Sequence, residues 1–172
     1  MSAVLESNDF RAEGLRVSGD RVHTARTLDV RTAYRGERVG TVALASLEDV
    51  RRAYEIAQDF QPRLSRYERS AILNRAAALL RERTDEASSL ITSESGLSKK
   101  DSIYEIGRVA DVLNFGANEA LRDDGQVFSC DLTPHGKHRK VVTTREPLLG
   151  VITAITPFNH PMNQVAHKVV PS

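Results

Sequence analysis

The 172 residues carry 24 basic and 23 acidic side chains, for a formal net charge of +1, and include a single cysteine. The near-balance gives no global attraction to nucleic acid or to an anionic membrane, one cysteine excludes an intrachain disulfide, and no apolar run approaches the ~20 residues of a membrane-spanning helix. The first ten residues lack a basic start and a continuous apolar stretch, so the expectation is a cytoplasmic chain without a secretory signal.

Residues 1–13 are polar and are expected to be frayed. Over residues 15–44 the pattern favours short strands. Leu15, Arg16 and Val17 lead into the turn-forming Ser18, Gly19 and Asp20, then Arg21, Val22 and His23. Residues 39–44 supply another strand. Such hairpins need a larger body to pack on, because a lone hairpin is marginal in water.

The middle of the chain reads as helical. Ser46 is placed to cap a helix with Val50, Ala53, Tyr54, Ala57 and Phe60 on one face. Ser65 and Glu68 have the spacing of a capping box, followed by the stripe Ile72, Leu73, Ala76, Leu79 and Leu80. Thr84 is expected to cap a third helix that ends at Gly96. Ser98 is expected to cap a fourth, with Ile103, Ile106, Val109, Ala110 and Leu113 facing inward. The basic runs Arg51–Arg52 and Lys137–His138–Arg139–Lys140 have no interleaved aromatics and read as solvated surface.

Beyond Gly125 the pattern changes. Residues 126–131 and 139–145 read as a hairpin around Thr133, Pro134, His135 and Gly136. Residues 148–155 form a nearly continuous apolar run, which suits a strand buried on both faces of a parallel sheet. Pro157 and Pro161 punctuate the loop that follows, and Pro161 suits the first turn of a helix through Val165, Val169 and Val170. Such a strand needs parallel neighbours and crossover helices. Only one is present, so the expectation is an incomplete α/β unit, with a complete small α+β domain as the alternative.

Glu146-Pro147-Leu148-Leu149-Gly150-Val151, continuing to Ile155-Thr156-Pro157-Phe158-Asn159-His160-Pro161, resembles the aldehyde dehydrogenase superfamily. Residues 40–44, Glu68-Arg69, Glu94-Ser95-Gly96 and Glu105 follow the order usual in that family. The fold implied is its N-terminal part: helices, hairpins and the first strand of a parallel dinucleotide-binding sheet. Residues 14–125 and 147–172 would be an incomplete dinucleotide-binding domain and 126–146 an oligomerisation hairpin, with a homodimer or homotetramer implied.

The activity implied is oxidation of an aldehyde to a carboxylic acid with NAD or NADP. By resemblance, Asn159 donates its side-chain amide to the oxyanion formed when a thiolate attacks the carbonyl, and Ile155, Thr156, Pro157 and Phe158 lie beside the cofactor. Read without the surrounding motif, Asn159 is better taken as a loop residue satisfying its own backbone. The family's nucleophilic cysteine and general-base glutamate belong downstream of Asn159. Cys130 precedes it and is read as a packed or edge residue, so this chain alone is expected to be inactive.

Residues 94–108 together with Asn159 and His160 look like phosphonoacetaldehyde dehydrogenases. Arg108 and His160 would then meet a small anionic aldehyde, a guanidinium fork being suited to phosphonate or carboxylate. The alternatives are Arg108 as a surface residue paired with Glu105 or Asp111, and His160 as a loop histidine bonded to backbone. Semialdehyde or lactaldehyde dehydrogenases are the runner-up within the family, and an inactive interaction module outside it. No metal site is expected, because His135, His138 and His167 lack carboxylate or thiolate partners.

Overall fold

The computed structural model describes residues 11–61, 63–122, 125–144 and 150–172. Among the described residues, seven short strands and five helices follow in chain order: β1 (Arg11–Glu13), β2 (Leu15–Val17), β3 (Asp20–Val22), β4 (Thr27–Arg31), β5 (Arg38–Ala43), α1 (Leu47–Asp59), α2 (Arg66–Glu82), α3 (Thr84–Ser95), α4 (Lys99–Ala120), β6 (Gln126–Ser129), β7 (Lys140–Thr143) and α5 (Pro161–Val169). The fold class is α/β, as expected. β2 and β3 form the predicted antiparallel hairpin, with Ser18 and Gly19 both at positive φ in the turn.

Residues 11–13 depart from the expectation, and the first ten lie outside the described residues. Residues 11–13 are β1, which pairs parallel to β5, while β4 pairs antiparallel on the other side of β5. A polar strand at a sheet edge needs no apolar alternation, because backbone hydrogen bonds to β5 hold it. Composition therefore did not mark it.

The helical caps follow the sequence closely. Ser46 with Asp49, and Ser65 with Glu68, form reciprocal capping boxes, and the Ser98 hydroxyl accepts from the Asp101 amide. Gly96 closes α3 in the left-handed region at φ 77°, where a side chain would be strained. Thr84 does not cap α3. A single residue, Arg83, joins α2 to α3, so Thr84 already lies in the helix and its hydroxyl donates back to the carbonyls of Leu80 and Arg81.

α4 is the central element, packing most extensively on α2 and then on α3 and α5. Its buried positions are Ser102, Glu105, Ile106, Val109, Ala110 and Ala117. The predicted stripe is thus shifted: Ile103 stays exposed, while Ser102 faces α3 and bonds Thr92 at 3.0 Å. Small residues set the helix separations, with Ser70 and Ala77 buried on α2 and Ser88 on α3. At Gly116 an added Cβ would stand 2.3 Å from Val170 Cγ1, so the glycine permits the close approach of α4 to the end of α5. Ile72 and Leu79 of the expected α2 stripe are exposed.

The predicted hairpin is β6–β7, with every strand residue exposed. The expected strand at 148–155 is not formed. Leu148 and Leu149 lie outside the described residues, and 150–155 has no strand partner. Val151, Ile152 and Ile155 remain exposed. The physical reason is the one that made the strand conspicuous: a parallel strand is stable only between neighbours, and none is present among the described residues. Among those residues, no helix is long and apolar enough to cross a membrane.

Candidate active site

Pro161 opens α5 at its first helical position, as the sequence indicated. Three backbone groups of that first turn then need accounting. Pro161 has no N–H. The amides of Met162 and Asn163 both donate to Glu105 Oε1 at 2.9 Å, and Gln164 begins the helical ladder by donating to the His160 carbonyl at 3.0 Å. The N-cap, His160, makes no side-chain cap bond of its own. A carboxylate from α4 does that work, at the end of the helix where negative charge is favoured.

Glu105 is 1% exposed. Its second oxygen, Oε2, lies 3.4 Å from His160 Nδ1. Its partners among the described residues are therefore the α5 amides and an imidazole, with no lysine or arginine among them. Sequence reasoning did not single Glu105 out. The available signal was a charge on the inward stripe of α4, flanked in register by Ser102, Ile106 and Val109, since buried glutamates are rare without a specific partner.

Of the remaining expected site residues, His160 contacts this anchor. Asn159 is exposed, immediately before the N-cap, and its amide has no hydrogen-bond partner among the described residues. His160 meets a carboxylate rather than backbone. Arg108 is exposed on α4, one turn beyond Glu105, and residues at this spacing are neighbours on a helix surface. Among the described residues it forms no ion pair: Glu105 is turned to α5, and Asp111 does not meet Arg108.

Ile155, Pro157 and Phe158 are exposed and Thr156 is half-buried; Ile155 and Phe158 reach 80% and 88% exposure. They form an extended apolar wall leading to Asn159. The hydroxyl of Thr153 meets that of Tyr54 on α1, which ties the preceding stretch to a helix. The first-turn amides of α5 that follow this wall are taken by Glu105.

Cys130 is half-buried in the turn after β6, its amide bonded to the Arg139 carbonyl at 3.0 Å. A cavity of about 530 Å³ lies elsewhere, between α2, α3, α4 and α5, with Leu79, Leu80, Leu90, Val109, Leu113 and Val165 on its walls. None of Arg108, Asn159 and His160 lines it. Among the described residues, no group of three His, Cys, Asp or Glu side chains is arranged to hold a metal.

Residues 21–172 match the family described as the aldehyde dehydrogenase family. The 3-sulfolactaldehyde dehydrogenase of Priestia aryabhattai is 35% identical over 160 residues, which is 92% of this chain and 33% of that protein. The crystal structure of aldehyde dehydrogenase 21 from Physcomitrella patens, in complex with the reaction product succinate, superposes with a TM-score of 0.88 at 28% identity. The match covers 94% of this chain and 34% of that one. NADP-dependent glyceraldehyde-3-phosphate dehydrogenase from Bacillus halodurans C-125, complexed with NADP, gives a TM-score of 0.82 at 34% identity, over 94% and 35% of the two chains. The chain thus spans about a third of the length of the relatives it matches.

Proposed function

The chain belongs to the aldehyde dehydrogenase family, and from that premise we propose that it is the part of an NAD- or NADP-dependent enzyme that supplies the oxyanion donor and half of the cofactor wall for oxidation of a small anionic aldehyde. The observation that carries the reading is the arrangement at the start of α5. Asn159 stands exposed with its amide uncommitted, on a turn anchored from behind by Glu105.

Asn159 donates to the carbonyl oxygen as negative charge develops on it. Removing one such donor in other enzymes lowers kcat by about 100- to 1,000-fold. Ile155, Thr156, Pro157 and Phe158 pack beside the dinucleotide, which when bound accepts the hydride. Residues 14–125 and 147–172 contribute to its domain, and the β6–β7 hairpin, with its exposed Val127, Phe128, Val141 and Val142, joins copies into a homodimer or homotetramer.

Arg108 and His160 hold the anionic end of the substrate. In support, the three related proteins named above carry a sulfonated aldehyde, a carboxylate product and a phosphorylated aldehyde in their names. Within that class we propose phosphonoacetaldehyde, oxidised to phosphonoacetate, from the residues around Arg108 and His160. The thiolate nucleophile and general base lie outside these residues, so the 172-residue chain alone is inactive.

The test follows NAD(P)H formation at 340 nm with phosphonoacetaldehyde, 3-sulfolactaldehyde, succinate semialdehyde and propionaldehyde, on this chain and on a longer protein containing it. Preference of the longer protein for the phosphonate is expected. Preference for propionaldehyde would remove the anionic reading, and turnover by the 172-residue chain would remove the proposed division of the catalytic groups.

A further inference from the structure

We infer that Glu105 is a positioning residue for the active-site turn, holding the backbone that carries Asn159 and fixing the His160 ring with a proton on Nδ1. The inference rests on the reading of Asn159 and His160 given above, and its structural part can be tested apart from that reading.

Helix capping alone does not account for Glu105. An ordinary Ser, Thr or Asp at position 160 would cap α5 locally and without burying a charge, as Ser46, Ser65 and Ser98 do for three other helices of this chain. Instead the N-cap is a histidine without a cap bond, and a carboxylate 57 and 58 residues away in sequence serves Met162 and Asn163. A distant cap does two things that a local one cannot. It fixes the first turn of α5 to α4, the helix that also carries Arg108 one turn further on. It also takes hold of the residue that follows Asn159.

The hydrogen-bond inventory sets the direction of the second contact. With Glu105 as a carboxylate, which only accepts, the 3.4 Å contact with Oε2 places a proton on His160 Nδ1. Nε2 is then the ring nitrogen left to meet a ligand, and it donates to an anion only in the ring that carries both protons. With both carboxylate oxygens committed, neither the turn nor the ring can shift independently of α4. A donor displaced by about 1 Å from its productive position can cost on the order of 100-fold in rate, so this rigidity bears directly on Asn159.

Ring-nitrogen spectra of the ¹⁵N-labelled chain test the inference. The expected result is a protonated, pyrrole-type Nδ1 on His160. In Glu105→Gln the amide oxygen can still accept from Met162 and Asn163, but the amide nitrogen faces the imidazole, and Nδ1 is expected to become the unprotonated acceptor. In an active enzyme carrying this segment, Glu105→Gln is expected to lower kcat about ten-fold while KM for propionaldehyde changes by less than about two-fold. An unprotonated Nδ1 in the parent chain, a ring spectrum unmoved by the substitution, or an unchanged kcat would each overturn it. If Glu105→Gln does not fold, the parent ring spectrum decides alone. The expected spectra without any aldehyde oxidation would count against the dehydrogenase reading and not against the Glu105–His160 bond.

Discussion

The backbone amide of Asn163 donates to the buried carboxylate of Glu105 at 2.9 Å, although the two residues are 58 positions apart. Replacing Glu105 by leucine fills a similar volume but leaves the Met162 and Asn163 amides without an acceptor. A buried donor without a partner costs about 1–3 kcal/mol. Met162 is partly exposed and water can reach its side, so a total loss of about 3 kcal/mol is expected in urea denaturation. Equal stability of Glu105→Leu and the parent chain would mean that α5 does not depend on this cap.

Arg108 is exposed and forms no ion pair among the described residues. Its removal should therefore leave the fold intact and act on binding alone. A hydrogen bond to a charged group contributes about 1.5–3 kcal/mol, or roughly 10- to 150-fold in affinity. In an active enzyme, Arg108→Ala is expected to raise KM for an anionic aldehyde by that factor and to leave KM for propionaldehyde unchanged. A parallel rise for both substrates would show that Arg108 does not read the anion.

The helices were legible because their signals are local. Ser46, Ser65, Ser98 and Gly96 act within one turn of their own helix, and the structure places each where the spacing indicated. What failed to be legible depended on distant partners. β1 exists because of β5, and its own polar residues do not announce it. The apolar run at 150–155 lacks the neighbours that would make it a strand. Glu105 was in view only as one residue in the family's order and a possible partner of Arg108, and its meaning lay in Met162 and Asn163, which carry no sequence mark of needing a cap. Asn159, His160 and Arg108 were found through resemblance, and the structure adds the element that links them.

The two capping boxes give a prediction for acid. The Asp49 carboxyl is held below its ordinary value chiefly by the backbone N–H of Ser46 and then by its hydroxyl, and Glu68 is held down by Ser65 in the same way. Glu86 is lowered by its bond to Arg83 and then by Arg11. A carboxylate with a depressed folded-state pKa adds stability in full above its unfolded value, and that stability is lost as pH falls through the folded value. The urea midpoint should therefore be flat, as far as these groups go, from neutrality down to about pH 5 and should decline below it. All three groups are at the surface, so the decline is expected to be modest. Asp49→Asn with Glu68→Gln should flatten the acid limb. An unaltered limb in that double variant would assign the acid sensitivity to other groups.

Asn159 separates stability from catalysis most cleanly. Its side chain is exposed and its amide has no partner among the described residues, so Asn159→Ala removes no internal bond. The urea midpoint should stay within about 0.5 kcal/mol of the parent, as for surface substitutions generally. In an active enzyme the same change should lower kcat about 100- to 1,000-fold, the cost of losing one oxyanion donor. The contrast with Glu105→Leu is the useful part. Glu105 should lose stability because it satisfies buried amides, and Asn159 should lose rate because it satisfies nothing until a substrate oxygen becomes charged. A kcat within about three-fold of the parent would leave the exposed amide without the donor role assigned to it.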